Sequence, residues 1–192
     1  ITSQNEIGIA GANYGTDGQV LTSGGAGAAV AWEDASGGGI TAASQWRLTA
    51  NAAGDNDPLA SNLEEVDTHA PGKIGSSMTE SSGIFTFPST GIWYLEFGVN
   101  FELNGHSGYN QPKIKITTDN SSYSQVTETT GHITDASTEE WTTVVSSYIF
   151  DVTNVSNDKV KFSTDVANNS TVALGTTSQN RTWMTFIRLG DT

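Results

Sequence analysis

From Gly83 to Glu102 the chain reads Gly-Ile-Phe-Thr-Phe-Pro-Ser-Thr-Gly-Ile-Trp-Tyr-Leu-Glu-Phe-Gly-Val-Asn-Phe-Glu, a pattern that predicts a short strand, a Pro/Gly corner and a long strand. Trp93, Leu95, Phe97, Val99 and Phe101 alternate with Ile92, Tyr94, Glu96, Gly98 and Asn100. Successive strand side chains point to opposite faces, so one face of this strand is wholly apolar and the other is mixed. The mixed face still carries Ile92 and Tyr94, which predicts a sandwich whose second face is itself partly covered, for example by another subunit.

The same alternation, broken by turn residues, predicts further strands at Ser44–Thr49, Lys73–Thr79, Ile84–Phe87, Gly91–Leu103, Lys113–Thr118, Tyr123–Thr127, Trp141–Val152, Lys159–Asp165 and Thr182–Leu189. Thr118-Asp119-Asn120-Ser121 and the run from Thr153 to Asp158 carry the Asx and Ser chemistry of tight turns. Residues 57–67 are read as a short helix, with Asp57 as N-cap and Pro58 in the first helical position. Many strands with almost no helix point to an all-β antiparallel sandwich, a jelly roll.

Residues 1–39 differ from the remainder. Gly and Ala crowd into 8–12 and 24–31, and Gly37-Gly38-Gly39 forms a break. Between them Gln19–Thr22 and Val30–Glu33 predict a small hairpin with too little apolar mass to fold alone. The expected organisation is a Gly/Ala-rich stem or attachment segment over 1–39 and a knob domain over 40–192. Ile1 in place of Met leads us to expect a portion of something longer.

Charge narrows the partners. The 192 residues carry a formal net charge of −13, which argues against a nucleic-acid surface and against anionic membranes. No run of about 18 apolar residues is present to span a bilayer. With no Cys, neither a disulfide framework nor a thiolate metal site is available.

Candidate chemistry is sparse. His69, His106 and His132 are the only histidines, each in a predicted loop, and no Ser sits in a Gly-x-Ser-x-Gly elbow. Glu64-Glu65 and Glu139-Glu140 are adjacent pairs whose side chains diverge on an extended backbone. Asp55-Asn56-Asp57 begins like a calcium loop, but Val66 stands at the twelfth position. The segment 25–30 lacks the last glycine of a dinucleotide fingerprint. No catalytic residue, metal ligand set or cofactor is therefore assigned, although a calcium site assembled between loops or subunits would leave no trace in the sequence.

Two resemblances follow from the order of motifs. Gly83-x-Phe85-x-x-Pro88-x-x-Gly91-x-Trp93-x-Leu95, the strand at 158–165 and the closing strand Thr182–Leu189 resemble the jelly-roll head of the complement C-one-q and tumour-necrosis-factor superfamily. Trp93 and Leu95 stand where that family more often has Tyr and Phe. The stretch from Gly15 to Asp34, Gly-Thr-Asp-Gly-Gln-Val-Leu-Thr-Ser-Gly-Gly-Ala-Gly-Ala-Ala-Val-Ala-Trp-Glu-Asp, resembles a segment of phage tail-fibre and appendage proteins that precedes a trimeric head. Together they imply a homotrimeric virion fibre: a thin stem that joins other virion proteins, then a knob that binds a host cell-surface glycan or protein. A capsid fibre or decoration protein with a structural role, and a secreted lectin-like adhesion module, are the alternatives.

On this reading a threefold interface buries the second apolar faces, and Tyr94, Tyr148, Met184 and Phe186 are its expected contributors. In the family topology the connections Leu103–Pro112, Glu128–Glu140 and Val166–Arg181 lie at the end of the knob away from the stem, where long loops on a rigid scaffold carry binding. His106, Tyr109, His132, Asn168, Asn169, Gln179, Asn180 and Arg181 are the receptor-binding candidates, since aromatic and amide side chains stack on and hydrogen-bond to sugars.

Overall fold

The computed structural model describes residues 9, 14–34, 39–134 and 138–192 and contains, among them, strands and connections but no helix. The chain divides into two units, residues 1–39 and 40–192.

In the first unit β1 (Gln19–Thr22) and β2 (Ala31–Asp34) pair antiparallel, with Val20 opposite Glu33 and Leu21 opposite Trp32. Val20, Leu21 and Val30 are all exposed. Gly15 adopts a positive φ, and a Cβ there would stand 2.9 Å from the Trp32 ring. Only glycine satisfies both the backbone conformation and the contact. Two strands of four residues fall below the three strands or backing layer that independent stability requires.

The second unit is a two-sheet sandwich. Its strands are β3 (Ala43–Leu48), β4 (Ala52–Ala53), β5 (Leu63–Glu65), β6 (Thr79–Ser81), β7 (Ile84–Thr86), β8 (Gly91–Asn104) and β9 (Ser107–Thr117). They are followed by β10 (Ser124–Gln125), β11 (Gly131–Ile133), β12 (Glu139–Val152), β13 (Lys159–Val166), β14 (Val172–Ala173) and β15 (Thr182–Gly190). One sheet runs β10-β9-β13-β7-β6, with β11 also on β9. The other runs β5-β3-β15-β8-β12. Because β12 pairs along all of β8, β14 takes the β15 edge of β8 beyond the end of β15, carrying β4 with it.

Alternation places Trp93, Leu95, Phe97, Val99, Phe101 and Leu103 inward from β8, as the sequence predicts. They meet Phe85, Ile114, Val160 and Phe162 from the opposing sheet in one core. Phe162 ties the layers together, its ring centroid 5.0 Å from that of Phe97 and 5.4 Å from that of Phe85. Such edge and tilted pairs contribute about 0.5–1.5 kcal/mol beyond burial.

Four sequence expectations are corrected. Residues 57–67 form no helix: Asn56 bridges Thr164, the Leu59 N–H donates to the Phe162 carbonyl at 2.8 Å, and the Asp57–Pro58 peptide is cis. Leu59 sinks into the core, so its end of the segment serves as an extra edge to β13, while Leu63–Glu65 form β5 on β3, and neither part is a helix face. Residues 73–79 supply only a bridge from Ile74 to Ala43 before β6 begins. The connection expected from Leu103 to Pro112 is a tight turn at Gly105-His106, because β8 and β9 extend into it. Finally, Met184 and Phe186 are fully buried in the core of their own chain, and Tyr148 packs on the same inward row as Val144 and Phe150. The outward row of β15 is Trp183, Thr185 and Ile187, and that of β12 is Glu139, Trp141, Thr143, Val145, Ser147, Ile149 and Asp151. Alternation shows which residues share a face, but here the opposing sheet, through Phe85 and Phe162, selects which face is inside.

Candidate functional site

The strand registers define the outer face of the β3-β15-β8-β12 sheet row by row. Tyr94 stands between Ile187 and Ile149, Glu96 between Thr185 and Ser147, and Gly98 between Trp183 and Val145. Asn100 then lies opposite Thr143, and Glu102 opposite Trp141. Of the four interface candidates, Tyr94 alone lies on this face. Ile149 is 58% exposed, Leu189 49% and Val145 42%, which with Ile92, Tyr94 and Ile187 makes an apolar patch at the base of the sandwich. Here the base is the end where Ile40 leads into β3 and Thr192 follows β15.

Hydrogen bonds fix the aromatic members of the face. Glu96 accepts from the Tyr94 hydroxyl at 2.9 Å and from Trp183 Nε1 at 2.8 Å. Burial, together with the hydrogen bond to and the charge of Glu96, raises the Tyr94 phenol above its ordinary range. At the far end Trp141 Nε1 donates to Glu102 Oε2 at 2.6 Å. The two indole N–H groups thus hold two carboxylates of β8 from opposite flanks. Glu96, Glu102, Trp141 and Trp183 were not selected by sequence reasoning. Their signal was present, since Glu96 and Glu102 occupy the mixed face of the long strand, but pairing across strands is needed to see them together.

The far end also gathers the receptor-binding candidates, in two groups. His106 in the β8–β9 turn, Tyr109 on β9, His132 on β11 and Asn168 after β13 form the first. Asn168 Nδ2 donates to the His106 carbonyl at 3.1 Å, and the Ala167 N–H donates to the Tyr109 carbonyl at 2.9 Å. β11 reaches the same part of β9 through an irregular register, Gly131 opposite Asn110 and Ile133 opposite Ser107, which brings His132 alongside. Asn169 instead packs on Gly54, where a Cβ would lie 3.3 Å from its carbonyl oxygen. Gln179, Asn180 and Arg181 lead into β15 and make the second group: Asn180 Nδ2 donates to Gln45 Oε1 at 2.5 Å, and the Arg181 carbonyl accepts from the Asn100 N–H at 3.0 Å.

Two polar constellations lie elsewhere. Arg47, 1% exposed, donates to Glu64 at 2.7 Å, Thr68 at 2.8 Å and Asp67 at 2.9 Å, so one buried guanidinium fixes residues 64–68. The segment borders a cavity of about 430 Å³ lined by Gln45, Glu65, Asp67, Thr68, Pro71 and Lys73. On the other sheet Asp57 accepts from Lys115 at 2.6 Å and Ser163 at 2.8 Å and pairs with Lys161 at 3.0 Å. Partial burial opposes ionisation of Asp57, yet these partners hold its carboxyl well below the usual carboxylate range. Among the described residues no group of three or more His, Asp or Glu side chains is arranged to hold a metal ion.

No protein-family model matches the chain, and no curated protein sequence matches it. Its fold does match solved structures. A crystal structure of murine APRIL at pH 8.5 superposes with a TM-score of 0.53 at 12% identity, over 77% of this chain and 98% of that one. Murine APRIL at pH 5.0 gives a TM-score of 0.54 at 12% identity over the same shares. The fold is a tumour-necrosis-factor/C-one-q-like jelly roll.

Proposed function

We propose that this protein is a virion fibre whose knob assembles as a homotrimer and attaches to a glycan or protein on the surface of a bacterial host. The observation that carries the reading is the apolar base of the outer face: Ile149, Val145 and Leu189, more than two-fifths exposed, lie together with Ile92, Tyr94 and Ile187 on one sheet. Large apolar side chains this exposed on one sheet face mark an association surface, even with the row of Thr185, Glu96 and Ser147 between Ile149 and Val145. Threefold association accommodates it, and association of copies of the first unit would likewise back the two-stranded β1–β2 hairpin. The resemblance of residues 15–34 to phage appendage segments supports placement on a virion, where the first unit joins other virion proteins. The knob acts by binding, through His106, Tyr109, His132 and Asn168 at the far end, with no cofactor.

Light scattering on the full chain and on residues 40–192 tests the assembly. The expected mass of the full chain is three times 20.2 kDa, with the truncated knob also trimeric; monomers in both overturn it. Adsorption of the labelled protein to bacterial cells tests attachment. Simultaneous His106→Ala, Tyr109→Ala and His132→Ala substitutions reduce adsorption if these loops contact the receptor, and unchanged adsorption removes them from the contact surface.

A further inference from the structure

The far end of the outer face differs in chemistry from its base. Trp141 lies four residues from Val145, about 13 Å along the strand at roughly 3.3 Å per residue. It is 57% exposed, yet its ring does not swing freely, because Nε1 is held by Glu102, its direct partner across the β8–β12 ladder. One row nearer the base, Asn100 lies opposite Thr143 and keeps Oδ1 out of solvent without a hydrogen-bond donor among the described residues. The Arg181 carbonyl accepts from the Asn100 N–H, so the exposed Arg181 side chain begins beside the same row.

We propose that Trp141 and Glu102, with Arg181 at the rim, form a binding platform for a neutral hexopyranose unit of a glycan. The inference rests on the attachment reading and gives it a ligand class. A pyranose ring has a flat C–H face and an edge of hydroxyl groups. The open indole supplies a rigid apolar surface for the first, already immobilised by its hydrogen bond, so little conformational freedom is lost on binding. Glu102 keeps a second carboxylate oxygen as an acceptor for the second, and the exposed Arg181 side chain offers donors from the rim. Charge selects against acidic sugars: Glu102 lies in the platform and the exposed Glu139 stands two residues before Trp141 on the same row, in a chain whose net charge is −13. A quaternary ammonium ligand calls for an aromatic cage, whereas here one ring stands open. A second copy of the chain is the occupant for the base, where the most exposed large side chains, Ile149 and Leu189, are aliphatic.

The test uses the full chain on an array of neutral gluco-, galacto-, manno- and N-acetylhexosamine pyranosides and their oligomers. We expect binding to at least one, quenching of tryptophan fluorescence on titration of that glycan, and at least tenfold weaker binding by Trp141→Ala and by Glu102→Ala, with solution mass unchanged. Loss of the oligomer in Trp141→Ala would make Trp141 an intersubunit contact and overturn the proposal. Glycan binding that survives both substitutions overturns the platform and leaves the attachment reading standing. Absence of binding to every pyranoside also overturns the platform, and adsorption of the same protein to whole bacterial cells then judges attachment separately.

Discussion

The Trp183 indole lies directly on Gly98: a Cβ at position 98 would stand 2.2 Å from its Cζ2. The two residues are direct partners across the β15–β8 ladder, and the contact lets Trp183 Nε1 reach Glu96. Gly98 is therefore required for the space above its Cα. Gly98→Val displaces the indole and breaks the bond to Glu96, at a cost of about 1–3 kcal/mol for overpacking. The expected readout is a lower unfolding midpoint together with an altered near-ultraviolet tryptophan spectrum. An unchanged spectrum would show that the indole does not depend on this glycine.

Phe162 is the packing link between the sheets, in contact with Phe85, Phe97 and Phe186. Phe162→Ala removes all three aromatic pairs and leaves a cavity that β-sheet backbones cannot collapse to fill. A loss of about 3–5 kcal/mol follows, measured as a fall in the urea midpoint. An effect below 1 kcal/mol would contradict this assignment.

The outer-face patch makes a residue-specific prediction about assembly. Val145→Asp and Ile149→Asp place charge on the exposed row of β12 without touching the core, which uses Val144, Phe150 and Val152. Each is expected to lower the solution mass from trimer to monomer while the strand spectrum in far-ultraviolet circular dichroism is retained. Tyr94→Asp is expected to do the same. A persistent trimer in all three would move the interface elsewhere.

Asp57 confers a defined acid sensitivity. Its folded pKa is depressed, so its stabilising contribution is present above the unfolded value of about 4 and is lost as pH falls below it. Because its side chain is 48% exposed, solvent screening limits that contribution to about 1 kcal/mol or less. Asp57→Asn is expected to lower the urea midpoint at pH 7 and to lose stability less steeply than the parent between pH 4 and pH 2. Parallel pH profiles for the two proteins would remove Asp57 as the acid-sensitive group.

Much of the fold was legible in the sequence because strand alternation is a local property. The β8 core row, the short hairpin at Gln19–Thr22 and the closing strand from Thr182 all follow from it. The reading of residues 57–67 erred because Asp-Pro is as compatible with an irregular edge as with a helix start. Only the contact with Phe162 and Thr164 distinguishes them. The placement of the candidates was legible in part: His106, Tyr109, His132 and Asn168 come together, whereas Asn169 packs on Gly54 and Gln179–Arg181 form a separate group beside Asn100. Trp141 and Glu102 escaped notice because 39 residues separate them in the chain.

What the sequence alone determined is the all-β class and the membership of each strand face, since both depend on neighbours within one strand. Tertiary structure decided which face became the core. Met184 and Trp183 are adjacent in one strand, yet Met184 is enclosed because the sheet carrying Phe85 and Phe162 lies on its side, and Trp183 faces outward onto Gly98. Local alternation is symmetric between the two faces of a sheet. Packing of a second layer breaks that symmetry, and only contacts distant in sequence carry the information.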